Sequence, residues 1–462
     1  MRRKKILKSI LVVSFLFVIL ASILSVGPSK EYFNRFSENL LNILEFSLLL
    51  FLLYVPILLG IRWLLGKRKA KKTFENTPSD KAIEKFIAST PAMLGCITLF
   101  YAILLFLFVH LVIPDTSPNA NEQMNELSFK PPGYSIKVFR QPIQNQTKNN
   151  FMQWLVEGRE KAYKEIPINS YKFNGDSIYI ERYIGDDVLG QRLGYVMENI
   201  TTEKLLAEEN KFIIEQKFIY DKKFLLGTDD LGRDYLSRVF LGVRVSLAVG
   251  FISVFIALCI GIPVGAAAGF YRNKPPTLSI TKSTKWKFPV DSIIMWFINV
   301  IWAIPTLLLV FPIVFAFGQN FYTIFIAVGL TLWVDIARIV RGQVMQVREL
   351  EYIQATTTFG YSNRRTILKH ILPNITGPII VITAANFAYA ILIEAGLSFL
   401  GIGVQPPAPS WGLMLSKYKD NLITDPYLTL IPGVAITILV LAFFMIGNGV
   451  RDALDVKTRM EN

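Results

Sequence analysis

Apolar and polar stretches alternate along this chain on the length scale of a membrane. Predominantly apolar runs lie at Ile10–Val26, Leu40–Leu65, Pro91–Ile113, Val243–Phe270, Val290–Gly318, Phe321–Val340, Pro378–Leu400 and Tyr427–Val450. Each is long enough to cross a hydrocarbon core of about 30 Å, so the pattern predicts about eight spanning helices. Two stretches interrupt it. Residues 114–225 are polar: Pro131-Pro132-Gly133 and Asn174-Gly175-Asp176 are turn signals, Ser177–Ile184 alternates as a strand does, and Phe151–Lys164 is helical in character. They predict a small α+β domain. The other stretch, 344–373, is charged and patterned as two short helices. The first runs from about Val344 to Phe359 and ends at Gly360, a residue suited to a left-handed C′ position. Ser362 caps the second, whose Ile367, Leu368, Ile371 and Leu372 form an apolar stripe, and Pro373 turns the chain back toward the membrane. Two stiff helices joined at a glycine make a knob shaped for a partner's groove.

Composition supports a membrane protein. Of 462 residues, 52% are hydrophobic and 18% charged, below the quarter or so of soluble chains, and mean hydropathy is +0.40. The net charge of +14 raises nucleic acid as a partner, but the placement of the charges excludes it. Lys67–Lys72, Tyr271–Lys287, Arg338 and Arg341, Arg364, Arg365 and Lys369, and Arg451–Arg459 all fall on one side if spans alternate from a cytoplasmic N-terminus. Both termini are then cytoplasmic. The chain divides into two N-terminal spans (1–66, the first an uncleaved anchor), a cytoplasmic connector (67–90) and a third span (91–113). An extracytoplasmic α+β domain (114–225), a five-span core (226–456) and a cytoplasmic tail (457–462) complete it.

Few residues suggest chemistry. Cys96 and Cys259 lie in apolar runs, His110 and His370 are far apart, and no catalytic or metal-binding constellation is spelled. No Gly-x-x-x-x-Gly-Lys-Ser/Thr loop occurs, so any ATP that drives this chain is held elsewhere. Asp335 and Glu394 are intramembrane charges, functional candidates by default; Asp335 is spaced to pair with Arg338 on one helix face. Pro263, Pro305, Pro312 and Pro432 are kink candidates, and Gly261, Gly265 and Gly269 form a ladder for close helix packing. Leu226–Arg238 reads as a tight, hydrogen-bonded loop before a span. Gly401–Gly412 is an outward loop stiffened by three prolines, with Trp411 suited to the headgroup level.

Three of these stretches carry a family resemblance. The run Gln354-Ala355-Thr356, with Gly360, Leu372 and Pro373 after it and Glu351 before, resembles the cytoplasmic EAA loop of permease subunits of ATP-binding-cassette importers. Gln354 and Thr356 stand where that pattern has Glu and a second Ala, so a role needing that carboxylate does not carry over. Gly227-Thr228-Asp229-Asp230, then Gly232-Arg233-Asp234, resembles the outer-face element of the C-type permease in the dipeptide, oligopeptide and nickel branch. Glu394–Gly401, and Pro406, Pro407, Ser410, Trp411 and Gly412, are similar to that branch as well. The resemblance covers Gly227 to about Lys457 and implies a type I importer core in the bacterial inner membrane. It implies a second permease subunit, two ATPase subunits holding ATP and Mg, and an extracytoplasmic substrate-binding protein, with no cofactor on this chain itself. Membrane lipid surrounds the spans. Peptides are the expected cargo; the competing reading is an ion-coupled transporter or channel using Asp335 and Glu394.

Overall fold

Broken and unbroken apolar helices and an antiparallel sheet form most of the described part of this chain in its computed structural model, which describes residues 78–454 apart from 144–150, 160, 187, 202–206, 273–276, 280–284 and 288. The two N-terminal runs and the tail lie outside the described residues. Helix α1 (Pro78–Ala88) precedes α2 (Thr90–Val112), the first described span. The connector expected over 67–90 is therefore partly a packed helix, with Phe86 of α1 resting against Gly449 near the far end of the chain.

The polar region folds as a five-stranded antiparallel sheet of order β4-β3-β2-β1-β5, from β1 (Tyr134–Pro142), β2 (Tyr163–Asn174), β3 (Ser177–Arg182), β4 (Arg192–Val196) and β5 (Ile219–Phe224). Asn174-Gly175-Asp176 is the β2–β3 hairpin turn, as its residues predict. Period-two alternation sends Ile166, Ile168, Ile178 and Ile180 to one buried face with Phe139. The helix expected over 151–164 is shorter: α3 (Phe151–Glu157) stops at Gly158, and the chain is already extended at Tyr163.

On that sheet, Glu165 is buried and accepts from Lys161 Nζ at 2.9 Å, from Tyr220 Oη at 2.7 Å and from Lys222. Burial alone would raise its pKa, but Lys222 and Lys161 outweigh it and hold the carboxyl at about 2, below its usual 4.5. A folded pKa below the unfolded one contributes stability that is complete above pH 4.5 and lost as pH falls toward 2. Glu165→Gln is therefore expected to flatten the loss of thermal stability of the solubilised protein between pH 5 and pH 3. Parallel wild-type and variant profiles would contradict this.

The bundle is built on α4 (Tyr235–Tyr271), followed by α5 (Val290–Trp302) and α6 (Thr306–Phe317). Next come α7 (Phe321–Arg348), α8 (Glu351–Thr358), α9 (Thr376–Phe399), α10 (Trp411–Tyr418) and α11 (Pro426–Leu454). Five described helices are long and apolar enough to cross a membrane, or six if α5 and α6 count as one broken span. That pair corrects the single span expected over 290–318: it bends by 90° at Ala303–Pro305. Ala303 and Ile304 close the last turn of α5 onto Asn299 and Ile301, and Pro305, without an N–H, starts a new direction.

Lipid tails are as apolar as leucine, so helix association here rests on close packing more than on water exclusion. The glycine ladder supplies it. A Cβ at Gly265 would sit 2.4 Å from the Ala337 carbonyl oxygen, and Gly261 and Gly269 press equally tightly on Ile336 and on Arg341 and Val344. Helices α4 and α7 thus touch backbone to backbone. The ends of the bundle are distinct. The sheet domain, residues 226–234 and 401–425 lie at one end; Arg272, Arg341, Arg348, Arg364, Arg365 and Arg451 gather toward the other.

Candidate functional site

The knob is present, with its parts redistributed. Residues 344–348 belong to α7, and the short helix α8 begins only at Glu351, after a break at Glu349–Leu350. Gly360 does adopt φ +73° and nothing lies within 4 Å of a Cβ placed on it. Tyr361 N–H donates to Thr356 O at 3.1 Å, the long bond of a Schellman ending. Ser362 then caps the next helix by accepting from Arg365 N–H. Across the turn the buried hydroxyls of Thr356 and Thr366 meet at 3.2 Å, joining the two helices.

The apolar stripe is shifted from its expected positions. Ile371 is buried and Ile367 and Leu372 pack against the core, but Leu368 is half exposed and Thr366 points inward. The cause is a π turn over Ile367–Ile371 that inserts an extra residue per turn and rotates the face. Pro373 likewise does not turn the chain: it starts a 3-10 turn, Leu372–Ile375, that runs on into α9. The wider preceding turn makes room for its ring. Arg348 Nη1 donates to Phe270 O at 2.7 Å, so the knob is fixed to the end of α4. Its outer surface shows Leu350, Tyr352, Phe359 and Leu368, ringed by Glu351, Gln354, Arg364, Arg365 and Lys369; Ala355 is half-buried behind them.

At the opposite end, residues 227–234 form the tight loop their composition predicts. Thr228 bridges Asp234 across it, and Asp234 caps α4 by accepting from Ser237 N–H at 2.9 Å. Burial raises the Asp234 pKa. Asp229 is fully buried: Oδ1 accepts from the N–H groups of Leu231 and Arg233 at 2.9 and 3.0 Å, and Oδ2 accepts from Arg233 Nε at 2.7 Å. Gly232 (φ +68°) passes so close to Met124 that a Cβ would stand 1.8 Å from its carbonyl oxygen. Gly227 accepts from Tyr235 N–H at 3.2 Å.

The loop bolts the sheet domain to the bundle. Thr228 N–H reaches Lys130 O, Phe129 N–H reaches Asp229 O, and Arg233 Nη1 reaches Asn121 Oδ1 at 2.9 Å. Asp230, on the rim, takes Lys417 Nζ and Tyr418 Oη, each at 2.7 Å; burial opposes its charge, but those two bonds bring the pKa down. Trp411 overturns the headgroup expectation. It is buried, its indole N–H donates to Val239 O at 2.8 Å, and its ring covers Gly242. Gly412 lies flat against Ala395 of α9, while Pro406 and Pro407 stay exposed.

A family model described as binding-protein-dependent transport system inner membrane component matches residues 261–460. The glutathione transport system permease protein GsiD of Pectobacterium atrosepticum is 36% identical over 234 residues, 51% of this chain and 73% of that protein. The oligopeptide transport system permease protein OppC of Haemophilus influenzae is 38% identical over 233 residues, 50% of this chain and 70% of that protein. The chain belongs to this family. It is a multi-pass permease subunit of an ATP-binding-cassette importer, a transporter component and not an enzyme. A solved inward-facing structure of the MetNI methionine ABC transporter overlays at TM-score 0.39 and 18% identity, over 47% of this chain and 97% of that one.

The two acids within the permease's apolar helices, Glu394 of α9 and Asp335 of α7, have different surroundings. Glu394 is buried, and its Oε1 accepts from Ser398 Oγ at 2.7 Å and Ser410 Oγ at 2.6 Å. It ties the start of α10 to α9. Asp335 is half-buried and forms no ion pair with Arg338 among the described residues, contrary to the spacing argument. Arg338 turns instead onto the Trp302 ring and Asn299. One charge escaped the sequence reading. Arg244, inside the Val243–Phe270 run, donates to the carbonyls of Phe106, Leu107, Leu155 and Val156 and so joins α2 and α3 to α4. The rule that singled out Asp335, a charge within an apolar run, applies to it equally.

Proposed function

We propose that this permease forms, with a second permease subunit, the path by which di- or oligopeptides enter across a bacterial inner membrane. Two ATPase subunits, carrying the ATP and Mg, seat on the knob at 349–373. The basic end of the bundle is cytoplasmic, as the positive-inside rule favours. The opposite end receives a substrate-binding protein, with the sheet domain adding to the surface it meets.

The knob carries this reading. Its inner face is pinned by Thr356, Ile353 and Ile371, while its outer face exposes Tyr352, Phe359 and Leu368 within a rim of charge. An exposed apolar patch with a polar border marks a protein contact. Because the knob continues directly into α9 and is bonded to α4 and α7, displacement by closing ATPases is passed to three spans at once. ATP then shifts the population between inward- and outward-open states by favouring one of them. Purification of the tagged permease in mild detergent is expected to recover one or two P-loop ATPases and a second polytopic subunit, with ATP hydrolysis. A homogeneous chain without ATPase activity would return the ion-coupled reading.

A further inference from the structure

Beside the break between α5 and α6 lies a polar cluster that the fold does not need. Arg341, one turn farther along α7, has its charge matched by Asp291 through two bonds of 2.6 and 2.8 Å. Arg338 does not. Its Nη2 reaches only Asn299 Oδ1 at 3.3 Å, its Nε has no acceptor, and its guanidinium lies over the Trp302 ring, 4.0 Å from the centroid. Asp335 stands on the same face one turn back, beside Trp302. Trp302 is 62% exposed, and Ala303, Ile304 and Pro305 are open beside it, so the cluster sits on the outside of this subunit. Ionisable side chains in spans almost always face protein or a water-filled cavity. Lipid would penalise an incompletely matched cation and acid here, whereas a path between two permeases would not.

We infer that Asn299, Trp302, Asp335 and Arg338 line the solute path and hold the charged ends of a short zwitterionic peptide, the carboxylate at Arg338 and the ammonium at Asp335. This deepens the peptide reading and rests on it. Guanidinium is the group that recognises carboxylate by paired N–H bonds, and Arg338 has them to spare. Residues three apart on a helix place their Cβ atoms about 5–6 Å from each other. A peptide spans about 3.3–3.6 Å per residue, so two residues bridge the pair. The break at Ala303–Pro305 leaves the site without a covering turn. A subsite on a path must also release its solute, and single, incomplete charge contacts suit that.

The test uses the complete importer in proteoliposomes with dialanine, its N-acetyl form and its C-amide form as probes. Arg338→Gln is expected to raise KM about tenfold for dialanine and N-acetyl dialanine while leaving the C-amide unchanged, and Asp335→Asn to do so for the two probes with a free amine. Comparison of each variant with wild type cancels the selectivity of the binding protein. Equal losses for all three probes, or none, would overturn the assignment. A second readout needs no transport. Ala303→Cys, with Cys96 and Cys259 replaced by Ala, is expected to react with water-soluble thiosulfonates, faster with an anionic sulfonate than with a trimethylammonium reagent. Arg338→Gln should abolish that preference. Residue 303 inert to both reagents faces lipid, and the proposal fails whatever the cargo. Labelling as expected in a wild-type importer that moves no dialanine would sink the peptide reading and keep the charged path.

Discussion

Asp229→Ala is expected to lower the melting temperature of the detergent-solubilised permease by roughly 10 °C. Asp229 has no exposed surface, and its two oxygens satisfy two backbone N–H groups and the Arg233 guanidinium. Arg238 Nε lies 3.6 Å away on the same carboxylate. Alanine would leave two buried guanidiniums and two buried N–H groups around a void. Breaking a buried pair by removing one partner costs about 3–5 kcal/mol, because the remaining charge stays desolvated. Asp230→Ala is the control. Its carboxylate is on the rim with the Lys417 side chain 39% exposed, so water replaces much of what is lost and the expected shift is a third as large or less. If the two variants melt together, Asp229 is not the bolt between sheet domain and bundle. Differential scanning fluorimetry with a thiol-reactive dye, on protein with the exposed Cys259 replaced by Ala, reports through the partly buried Cys96, and limited proteolysis of residues 114–225 tells whether the sheet domain loosens first.

Much of this architecture was legible in the sequence, and what was not shares a physical cause. The spans were legible because each apolar run is set by the membrane thickness alone: Pro91–Ile113 against α2, Tyr427–Val450 against α11. Gly360 and Ser362 were legible because their roles are local, one dihedral and one cap. Features decided by distant partners were not. The loop at 227–234 reads as hydrogen-bonded, but nothing in it names Asn121, Lys130 or Tyr418, which lie 112, 98 and 188 residues from their partners in it. Trp411 was misplaced because an amphipathic ring suits the headgroup level and an interior carbonyl equally, and only the tertiary fold brings Val239 O to its indole. The break at Pro305 was hidden inside a continuous apolar run, since prolines within spans, such as Pro263 in α4, often leave a helix whole. The rotation of the knob's stripe came from a π turn, a shift in period that composition does not announce.

Gly360→Val is expected to cut peptide uptake by tenfold or so while leaving membrane insertion and the melting temperature of the bundle close to wild type. The cause lies in the backbone alone. Because nothing lies within 4 Å of where a Cβ would stand, a valine meets no obstacle; its difficulty is φ +73°, which a β-branched residue strongly resists. The left-handed conformation costs an ordinary L-residue about 1–2 kcal/mol, comparable to the factor of ten expected. The chain can escape that cost by opening the Schellman ending, giving up the bond from Tyr361 N–H to Thr356 O. The Thr356–Thr366 contact goes with it, and α8 is freed from the helix that leads into α9. ATPases pushing on a hinged knob move the knob and not the spans. ATP hydrolysis should then continue in reconstituted importer but lose its dependence on loaded binding protein. Gly360→Asn separates geometry from chemistry. Asparagine tolerates positive φ, so it should retain most of the uptake while adding a side chain of similar size. A valine variant that transports and couples as wild type, or an asparagine variant as defective as valine, would show that the stiffness of this turn does not carry the stroke.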